Sequence, residues 1–283
     1  MAFAIPAARG QETDLKDNPD PTSRVAIVTG AGDGIGWATA QRLAQEFGHV
    51  VIADVRADAA SQRAAELGAE HAGFECDVTS EASVVSLMRQ VLERFGRVDA
   101  LVNNAGVGEQ AVMTLEQTVE AFDRILAVHL RGTFLASREA ARVFVEQRSG
   151  AIVNISSIAG LHGHPGRNAY GAAKAGISSM TEAMASEWAR DGIRVNAVAP
   201  GYVLTDLVKG LVAKGALNLE NIEERTPMGR TAQPAEIAEA IAFLASGRAS
   251  FITGVTLPVD GGWLAFGAPP AKLGTVAEKR VPR

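Results

Sequence analysis

Three side chains in the second half of the chain have the types and spacing for proton transfer to a substrate oxygen. Tyr170 and Lys174 are four residues apart in a segment that predicts a helix capped by Asn168, so both project from one face. An ammonium group beside a phenol stabilises the phenolate, so we expect the pKa of Tyr170 to be lowered toward neutrality. Ser157 follows a short apolar strand and is placed to share a substrate oxygen with the phenol. These groups indicate general acid–base chemistry at Tyr170.

A glycine-rich turn lies between the first predicted strand, 25–29, and the first predicted helix, 35–47. Its glycines have the spacing G-x-x-x-G-x-G, namely Gly30, Gly34 and Gly36, with Asp33 and Ile35 between them. Glycine permits a tight turn and close backbone approach, and a helix N-terminus attracts a pyrophosphate. Because the turn joins a strand to a helix, it predicts a dinucleotide-binding site.

The acidic residue Asp54 ends the second predicted strand and indicates which nucleotide would bind. A carboxylate at this position accepts hydrogen bonds from the adenosine ribose hydroxyls and repels a 2′-phosphate. Asp33 adds a second negative charge nearby. Arg56 is close enough to hold a 2′-phosphate instead, but the two carboxylates favour NAD over NADP. We therefore predict NAD as the cofactor.

Apolar strands and amphipathic helices alternate along the chain. The predicted strands are 25–29, 50–53, 73–76, 98–102, 151–155, 193–198 and 255–259, and the predicted helices are 35–47, 58–67, 81–95, 119–145, 168–190 and 234–246. This alternation is typical of βαβ units. It predicts an α/β fold: a single doubly wound, Rossmann-type domain with a central parallel sheet flanked by helices.

Composition and charge exclude several classes of protein. The chain has 283 residues, 47% of them hydrophobic, and a net charge of −5 without a long basic run, which argues against nucleic acid as a partner. No apolar stretch approaches the roughly 18 residues of a membrane span, and the N-terminus lacks the basic region of a signal peptide. A single cysteine, Cys76, fits a reducing compartment. We predict a cytoplasmic protein that contacts neither membrane nor nucleic acid.

The two ends of the chain differ from the part between them. Residues 1–23 are polar and broken by prolines, and residues 264–283 have a similar composition. We expect a mobile N-terminal arm and a C-terminal tail on either side of a folded part, 24–263. Either end could instead pack on a neighbouring subunit.

Taken together, these motifs resemble those of the short-chain dehydrogenase/reductase family over residues 24–263. The resemblance also rests on Asp77-Val78, Asn103-Asn-Ala-Gly106, Pro200-Gly201 and Asp260-Gly-Gly262. It implies that Tyr170 is the general base for alcohol oxidation or the acid for carbonyl reduction. Ser157 would then orient the substrate oxygen, and Lys174 would hold the nicotinamide ribose.

The resemblance further implies a set of cofactor contacts. Asp77 and Val78 would contact the adenine; Asn104, Ala105 and Gly106, with Asn103, would line the cofactor and brace the sheet; Pro200, Gly201 and Val203 would border the nicotinamide; and Thr205 would lie near the pyrophosphate. The small residues of the helix that carries Tyr170 would lie in a subunit interface. We therefore expect a homotetramer, with a dimer as the next alternative.

One residue departs from the family pattern. His129 stands where the family usually has a catalytic asparagine, which helps to anchor a water between the lysine and solvent. Histidine donates and accepts hydrogen bonds and titrates near neutral pH. One hypothesis is that His129 keeps a proton relay with an altered pH dependence. The alternative is a histidine bonded within its own helix, with no chemical role.

Segments beside the expected site carry weaker signals. Residues 202–227 are amphipathic and predict a lid over a partly apolar substrate pocket. His162 and His164 border the same region; without an acidic or cysteine partner at a suitable spacing they predict pocket lining or solvent exposure, and no metal site. Glu109 either faces the substrate or is solvated.

The sequence predicts an NAD-dependent oxidoreductase that interconverts a secondary alcohol and a ketone, with a small-molecule partner. One rival is an NADPH-dependent reductase of 3-oxoacyl thioesters, which Asp54 disfavours. The other is a nucleotide-sensing protein without turnover. Such a sensor would not need Ser157, Tyr170 and Lys174 together.

Overall fold

The central strands are continuous apolar runs because both faces of the sheet are covered. In β1 (Val25–Thr29) every residue is buried. Ala26 and Val28 pack into one hydrophobic cluster, and Val25 and Ile27 pack into a second cluster on the opposite face. Alternate side chains of a strand point to opposite faces, so a strand between two helical layers must be apolar at every position.

The computed structural model describes residues 21–109 and 111–267. The remaining strands are β2 (His49–Asp54), β3 (Ala72–Glu75), β4 (Ala100–Asn103), β5 (Gly150–Ile155), β6 (Ile193–Pro200) and β7 (Thr256–Val259). The helices are α1 (Gly34–Leu43), α2 (Ala57–Leu67), α3 (Glu81–Phe95), α4 (Val119–Leu126), α5 (Gly132–Gln147), α6 (Asn168–Trp188), α7 (Asp206–Ala213), α8 (Leu219–Arg225) and α9 (Pro234–Ala245).

All strand pairs of the sheet are parallel, in the order β3-β2-β1-β4-β5-β6-β7. The order reverses between β1 and β4, which opens a crevice at the carboxyl ends of the strands. One face is covered by a layer that includes α1 and α9, and the other by a layer that includes α3 and α5. The predicted doubly wound α/β fold is confirmed.

The long helix predicted over 119–145 is wrong as a single element. It is divided into α4 and α5 by a π-helical segment, Ala127–Arg131. Within that segment the carbonyl of His129 accepts a hydrogen bond from Thr133 Oγ1 at 2.7 Å. A π-turn inserts an extra residue into the helical ladder and is common at functional sites, but the apolar periodicity of the sequence continues through it.

The start of α6 also differs from the prediction. Asn168 is the first residue of the helix, and the capping position belongs to Arg167, whose side chain makes no capping hydrogen bond. The helix ends at Trp188 rather than at residue 190, because Ala189–Asp191 form a 3₁₀ turn. That turn closes at Gly192, which has φ of +78°, a conformation that favours glycine.

Other parts of the chain complete the description. Cys76, next to β3, is buried at 3% exposure, and burial raises the pKa of its thiol to about 11. Within 21–109 and 111–267, no helix combines the length and apolar character needed to cross a membrane. Of the predicted N-terminal arm only Pro21–Ser23 is described, as a 3₁₀ turn, and most of the predicted C-terminal tail lies outside the described residues.

Candidate active site

The three predicted acid–base residues meet at the carboxyl end of β5. Ser157 lies just beyond that strand, and Tyr170 and Lys174 lie on the first two turns of α6. The Ser157 hydroxyl acts on the Tyr170 phenol and opposes the rise in its pKa that burial causes. The Lys174 Nζ atom lies 5.5 Å from the centre of the Tyr170 ring. The structure therefore brings together the three side chains that the sequence spacing singled out.

Two contacts fix α6 against the end of β5. The Ser156 hydroxyl donates a hydrogen bond of 3.0 Å to the Lys174 carbonyl. A Cβ atom at Gly160 would lie only 2.6 Å from the backbone carbonyl carbon of Lys174, so this loop crosses the helix closely because residue 160 is glycine. The relative position of Ser157 and Tyr170 is thus set by backbone packing.

The surroundings of Tyr170 shift its acidity in the direction opposite to the prediction. Burial raises the pKa of Tyr170; the hydrogen bond with Ser157 and the charge of Arg167 oppose this rise, and the charge of Glu109 adds to it. The phenolate is the charged form, and desolvation disfavours it. The predicted lowering of this pKa by Lys174 is therefore wrong.

The reason lies in the burial of Lys174 itself. Its side chain is buried, and Nζ donates a hydrogen bond of 2.5 Å to the Ile155 carbonyl. Burial lowers the pKa of this amine to about 7, because the ammonium form loses its solvation. Near neutral pH the amine is only partly charged, which weakens its support of the Tyr170 phenolate.

His129 is buried in the π-helical segment, edge-on to the Tyr170 ring with the ring centres 5.2 Å apart. Its Nε2 atom lies 3.0 Å from the carbonyl oxygen and 3.2 Å from the amide nitrogen of Val107. Within the described part of the chain, the buried Nδ1 atom has no hydrogen-bond partner. The ring thus holds the loop that follows β4.

Burial, together with the nearby charge of Lys174, lowers the pKa of His129 to about 3. The imidazole is therefore neutral at ordinary pH, and the expectation that it titrates near neutrality is wrong. The alternative expectation, a bond within its own helix, is wrong for the side chain as well, since its partner is Val107. A relay through His129 would have to work without a change in its charge.

The asparagine motif after β4 joins the sheet to the glycine turn. Asn104 Nδ2 donates to the carbonyls of Thr29 and Gly30 at 3.0 and 2.9 Å, and the Ala105 amide donates to Thr29 Oγ1 at 3.1 Å. Asn103 Nδ2 donates to Asn154 Oδ1 at 2.8 Å, deep between β4 and β5. These bonds support the sheet-bracing role that the family resemblance implied.

Gly106, the last residue of that motif, lies against His129. A Cβ atom built there would be 2.5 Å from Cε1 of the imidazole. A larger residue would displace the ring from Val107, so glycine at this position and histidine at 129 depend on each other.

The glycine turn forms a cradle of bare backbone before α1. Gly30 has φ of +61°, and a Cβ atom there would lie 2.7 Å from Ala105 Cα. At Gly36 it would lie 2.3 Å from the Gly30 carbonyl oxygen. Asp33 caps α1, with Oδ1 accepting from the Gly34 amide at 2.6 Å, and the half-buried Ile35 begins the packed face. This arrangement fits a dinucleotide pyrophosphate at a helix N-terminus.

Asp54, at the end of β2, turns toward the same cradle. Its Oδ2 accepts from the Gly32 amide at 2.9 Å, and Oδ1 accepts from the amide and Nε of Arg56 at 3.0 and 3.2 Å. A Cβ atom at Gly32 would lie 2.7 Å from Oδ2, so this glycine, which the motif spacing did not single out, is needed for the contact. A carboxylate has about four acceptor sites, so one remains for a ribose hydroxyl.

The other resemblance-derived positions lie on the same edge of the sheet. Asp77 and Val78 follow β3; Asp77 Oδ1 accepts from the Thr79 amide at 2.9 Å, and Val78 is buried against Gly132. Thr205 caps α7 through Oγ1, which accepts from the Val208 amide at 3.3 Å. The Thr205 Cγ2 atom lies 3.4 Å from a Cβ built at Gly34, so the two loops meet.

The turn after β6 is equally close-packed. Pro200 ends β6, and the Gly201 amide donates to the Val259 carbonyl at 3.0 Å. A Cβ atom at Gly201 would lie 2.9 Å from Asp260 Cα. Val203 is buried and pairs with Ala232 in an isolated parallel bridge. The predicted lid, 202–227, contains α7 and α8.

An aromatic cluster near the site was missed from the sequence. The Trp263 ring lies 5.1 Å from that of Tyr202 and 6.5 Å from that of His164, and the Arg225 guanidinium lies 4.7 Å above it. These residues come from three loops and α8, so no spacing rule joins them. The one available signal was a tryptophan directly after the Asp260-Gly-Gly262 motif.

Comparison with known proteins adds a second line of evidence. A family described as enoyl-(acyl carrier protein) reductase matches residues 30–264. A short-chain type dehydrogenase/reductase of unassigned activity from Sinorhizobium fredii is 44% identical over 255 residues; the match takes in 90% of this chain but 46% of that protein, so this chain spans about half its length.

Two further proteins match over nearly their whole lengths. Cis-4-hydroxycyclohexanecarboxylate dehydrogenase from Sinomonas cyclohexanicum is 46% identical over 244 residues, which are 86% of this chain and 97% of that protein. The crystal structure of a levodione reductase superposes with a TM-score of 0.81 at 35% identity, covering 86% of this chain and 98% of the other.

Proposed function

The chain belongs to the short-chain dehydrogenase/reductase family, and we propose that it is an NAD-dependent oxidoreductase that interconverts a secondary alcohol and a ketone. The observation that carries this proposal is that Ser157 and Lys174 both act on Tyr170 at the carboxyl end of β5. The glycine turn lies on the same side of the sheet, at the carboxyl ends of the strands.

In the proposed mechanism Tyr170 exchanges a proton with the substrate oxygen. The Ser157 hydroxyl bonds the same oxygen and holds it beside the phenol. Lys174 would hold the ribose of the cofactor, and whatever positive charge its amine carries favours the phenolate over the phenol. A nicotinamide bound there would supply the hydride acceptor or donor.

Because the pKa of Tyr170 is raised, the rates of oxidation and reduction should depend on pH in opposite directions. Alcohol oxidation needs the phenolate, so its rate should rise as the pH increases toward the pKa of Tyr170. Ketone reduction needs the protonated phenol and should lose rate over the same range.

Three features support NAD rather than NADP. The Asp54 carboxylate faces the cradle through its bond to Gly32, where it would repel a 2′-phosphate. Arg56, the cation that could hold that phosphate, is bonded to Asp54. The exposed carboxylate of Asp33 adds to the negative charge at the same place.

The relatives narrow the substrate class. Cis-4-hydroxycyclohexanecarboxylate is a secondary alcohol on a six-membered ring, and the dehydrogenase that bears its name is 46% identical to this chain. We propose a ring alcohol of this kind, beside the Tyr202–Trp263 rings. Relatives named 3-oxoacyl-[acyl-carrier-protein] reductase, 37% identical from Thermotoga maritima and 39% identical from Synechocystis, favour a second candidate, a reductase of 3-oxoacyl thioesters.

We also propose that 202–227 closes over the substrate and that the protein is a homotetramer. Leu207 on α7 is exposed, and its Cδ2 atom lies 3.9 Å from a Cβ built at Gly108, so α7 already approaches the loop after β4. The small residues Ala172 and Ala175 are exposed on α6, which suits a subunit interface. Sedimentation of the full chain would measure the assembly.

The deciding experiment combines binding and turnover. Calorimetric titration with NADH and with NADPH should show tighter binding of NADH. An absorbance assay with NAD should then detect oxidation of ring secondary alcohols. A separate assay with NADPH should detect no reduction of acetoacetyl thioesters. NADPH preference with thioester reduction would select the second candidate, and tight NADH binding without turnover on either panel would indicate a sensor.

A further inference from the structure

The loop that follows the asparagine motif is attached to the start of α6 by two hydrogen bonds. Arg167 Nη1 donates a hydrogen bond of 3.1 Å to the carbonyl of Glu109, and the Val112 amide donates one of 3.1 Å to the Gly166 carbonyl. The side chain of Glu109 is therefore held beside the first turn of the helix that carries Tyr170.

That first turn lacks a cap of its own. It contains no acidic residue, and the side chain of Arg167 at the capping position makes no capping hydrogen bond. Glu109 Oε1 instead accepts from the Tyr170 amide at 3.4 Å and from Gln117 Nε2 at 3.0 Å. A carboxylate here satisfies a free amide and interacts favourably with the helix dipole.

The carboxylate of Glu109 has no direct cationic partner among the described residues; the nearby Arg167 guanidinium bonds the Glu109 backbone carbonyl instead. Glu109 forms no ion pair within 21–109 and 111–267, and its buried Oε2 atom has no hydrogen-bond partner there. Burial raises the pKa of Tyr170, and the negative charge of Glu109 adds to that rise. The other groups that face Tyr170 are Ser157, Lys174, His129 and Arg167.

We propose that Glu109 is a positioning residue for Tyr170, which anchors the first turn of α6 from another loop and places a negative charge at the backbone of that turn. This inference rests on the proposed acid–base function of Tyr170. It gives the loop after β4 control over both the place and the acid strength of the proton-transferring group.

The charge can be tested without turnover, because the chain has only two tyrosines. In a Tyr202→Phe background, ultraviolet titration of the phenol reports Tyr170 alone. Glu109→Gln preserves the shape and the acceptor oxygen but removes the charge, so the midpoint should fall. Glu116→Gln, an exposed acid of the same loop, is the matched control and should leave the midpoint unchanged.

A third variant separates charge from shape. Glu109→Asp keeps the negative charge and shortens the side chain, so it should move the midpoint less than Glu109→Gln does. Equal shifts in the two variants would mean that the side chain acts by shape alone, and no shift in Glu109→Gln would remove the charge effect; either result overturns the proposal.

The same variants should alter catalysis in a matching way. For alcohol oxidation by Glu109→Gln, the rising limb of kcat against pH should move to lower pH, with the NADH dissociation constant unchanged. An unmoved limb would overturn the proposal. Absence of turnover in the unmodified enzyme would count against the proposed function instead, and the phenol titration would still decide the role of Glu109.

Discussion

The two halves of the crevice are built by different means. Around the glycine turn, backbone atoms and one buried carboxylate form the site, and the critical contacts are within a few residues of the motif. Around Tyr170, the site depends on side chains from separate elements, including Ser157, His129 and Glu109. The nucleotide half is therefore determined locally, whereas the reaction half is determined by tertiary packing.

The sharpest test of this division is Tyr170→Phe, which alters the reaction half alone. Loss of the phenolic proton should lower kcat by about 10²- to 10⁴-fold, the usual scale of general acid–base catalysis. The NADH dissociation constant, measured calorimetrically, should stay within a few-fold of the original because the cradle is untouched. A variant that kept its activity would show that Tyr170 is not the proton-transferring group.

Lys174→Met affects both halves, since we propose that this residue holds the ribose and supports the phenolate. We expect a fall in kcat/KM of at least about 10²-fold, seen in the NAD-linked absorbance assay. A variant with normal activity would contradict both proposed roles of the lysine.

The same substitution tests the burial of the amine through stability. The folded-state pKa of Lys174 is about 7 against an ordinary 10.5, so between these values the unfolded chain binds more protons than the folded one. Stability of the unmodified protein should therefore rise with pH across this range relative to Lys174→Met. Urea unfolding at pH 6, 7.5 and 9 measures the free energy of unfolding of both proteins. That of the unmodified protein should increase relative to that of Lys174→Met as the pH rises.

Asp54→Asn confines the change to the nucleotide half. Removing the charge should reduce the preference for NAD over NADP by about 10- to 100-fold, the scale of one charge-assisted hydrogen bond. The value of kcat at saturating NAD should change little. Asp33→Asn is the matched comparison; its carboxylate is exposed and caps α1, so its effect on the preference should be smaller.

His129→Asn lies at the border of the two halves and should have the smallest effect. Asparagine is uncharged, as the buried histidine is, but it is shorter, so it gives up the Nε2 contacts with Val107 and leaves a gap beside Tyr170. The variant should lose about 1 kcal/mol of stability, measured by urea unfolding. Its kcat profile should keep the same shape above pH 5, because the histidine is already neutral there.

Stability at low pH provides a second test of whether His129 is buried as a neutral ring. The folded-state pKa of His129 is about 3 against an ordinary 6.5, so between these values the unfolded chain binds the extra proton. The unmodified protein should lose stability as the pH falls from about 6.5 to 3. His129→Asn removes this contribution and should give a shallower loss over that range. Equal slopes would mean that His129 is not buried as a neutral ring.

The sequence predicted the nucleotide half well because its signals are local. The extents of β1 and α3 agree with the predicted 25–29 and 81–95, and Gly30, Asp54 and Asn104 converge at the crevice. The family is confirmed by the matching family and relatives, and the fold is confirmed by the parallel sheet. The choice of NAD, the lid and the assembly remain predictions.

The reaction half was predicted in its parts but not in its electrostatics. Spacing placed Tyr170 beside Lys174, yet the pKa of the tyrosine depends on burial and on Glu109, which lies on a different loop. The π-turn at His129 and the missing cap of α6 depend on contacts with the loop after β4. Apolar periodicity carries no information about such contacts. The sequence therefore predicted one regular helix over 119–145 and a second helix capped by its own Asn168.

The buried thiol of Cys76 has a practical consequence for following the molecule in solution. It is the single cysteine of the chain, it is closed to solvent, and its pKa of about 11 keeps it in the unreactive thiol form. Alkylation can therefore proceed only as fast as the region around β3 opens. Because this cysteine immediately precedes Asp77, near the expected adenine position, the labelling rate measured by mass spectrometry should fall when NADH is added.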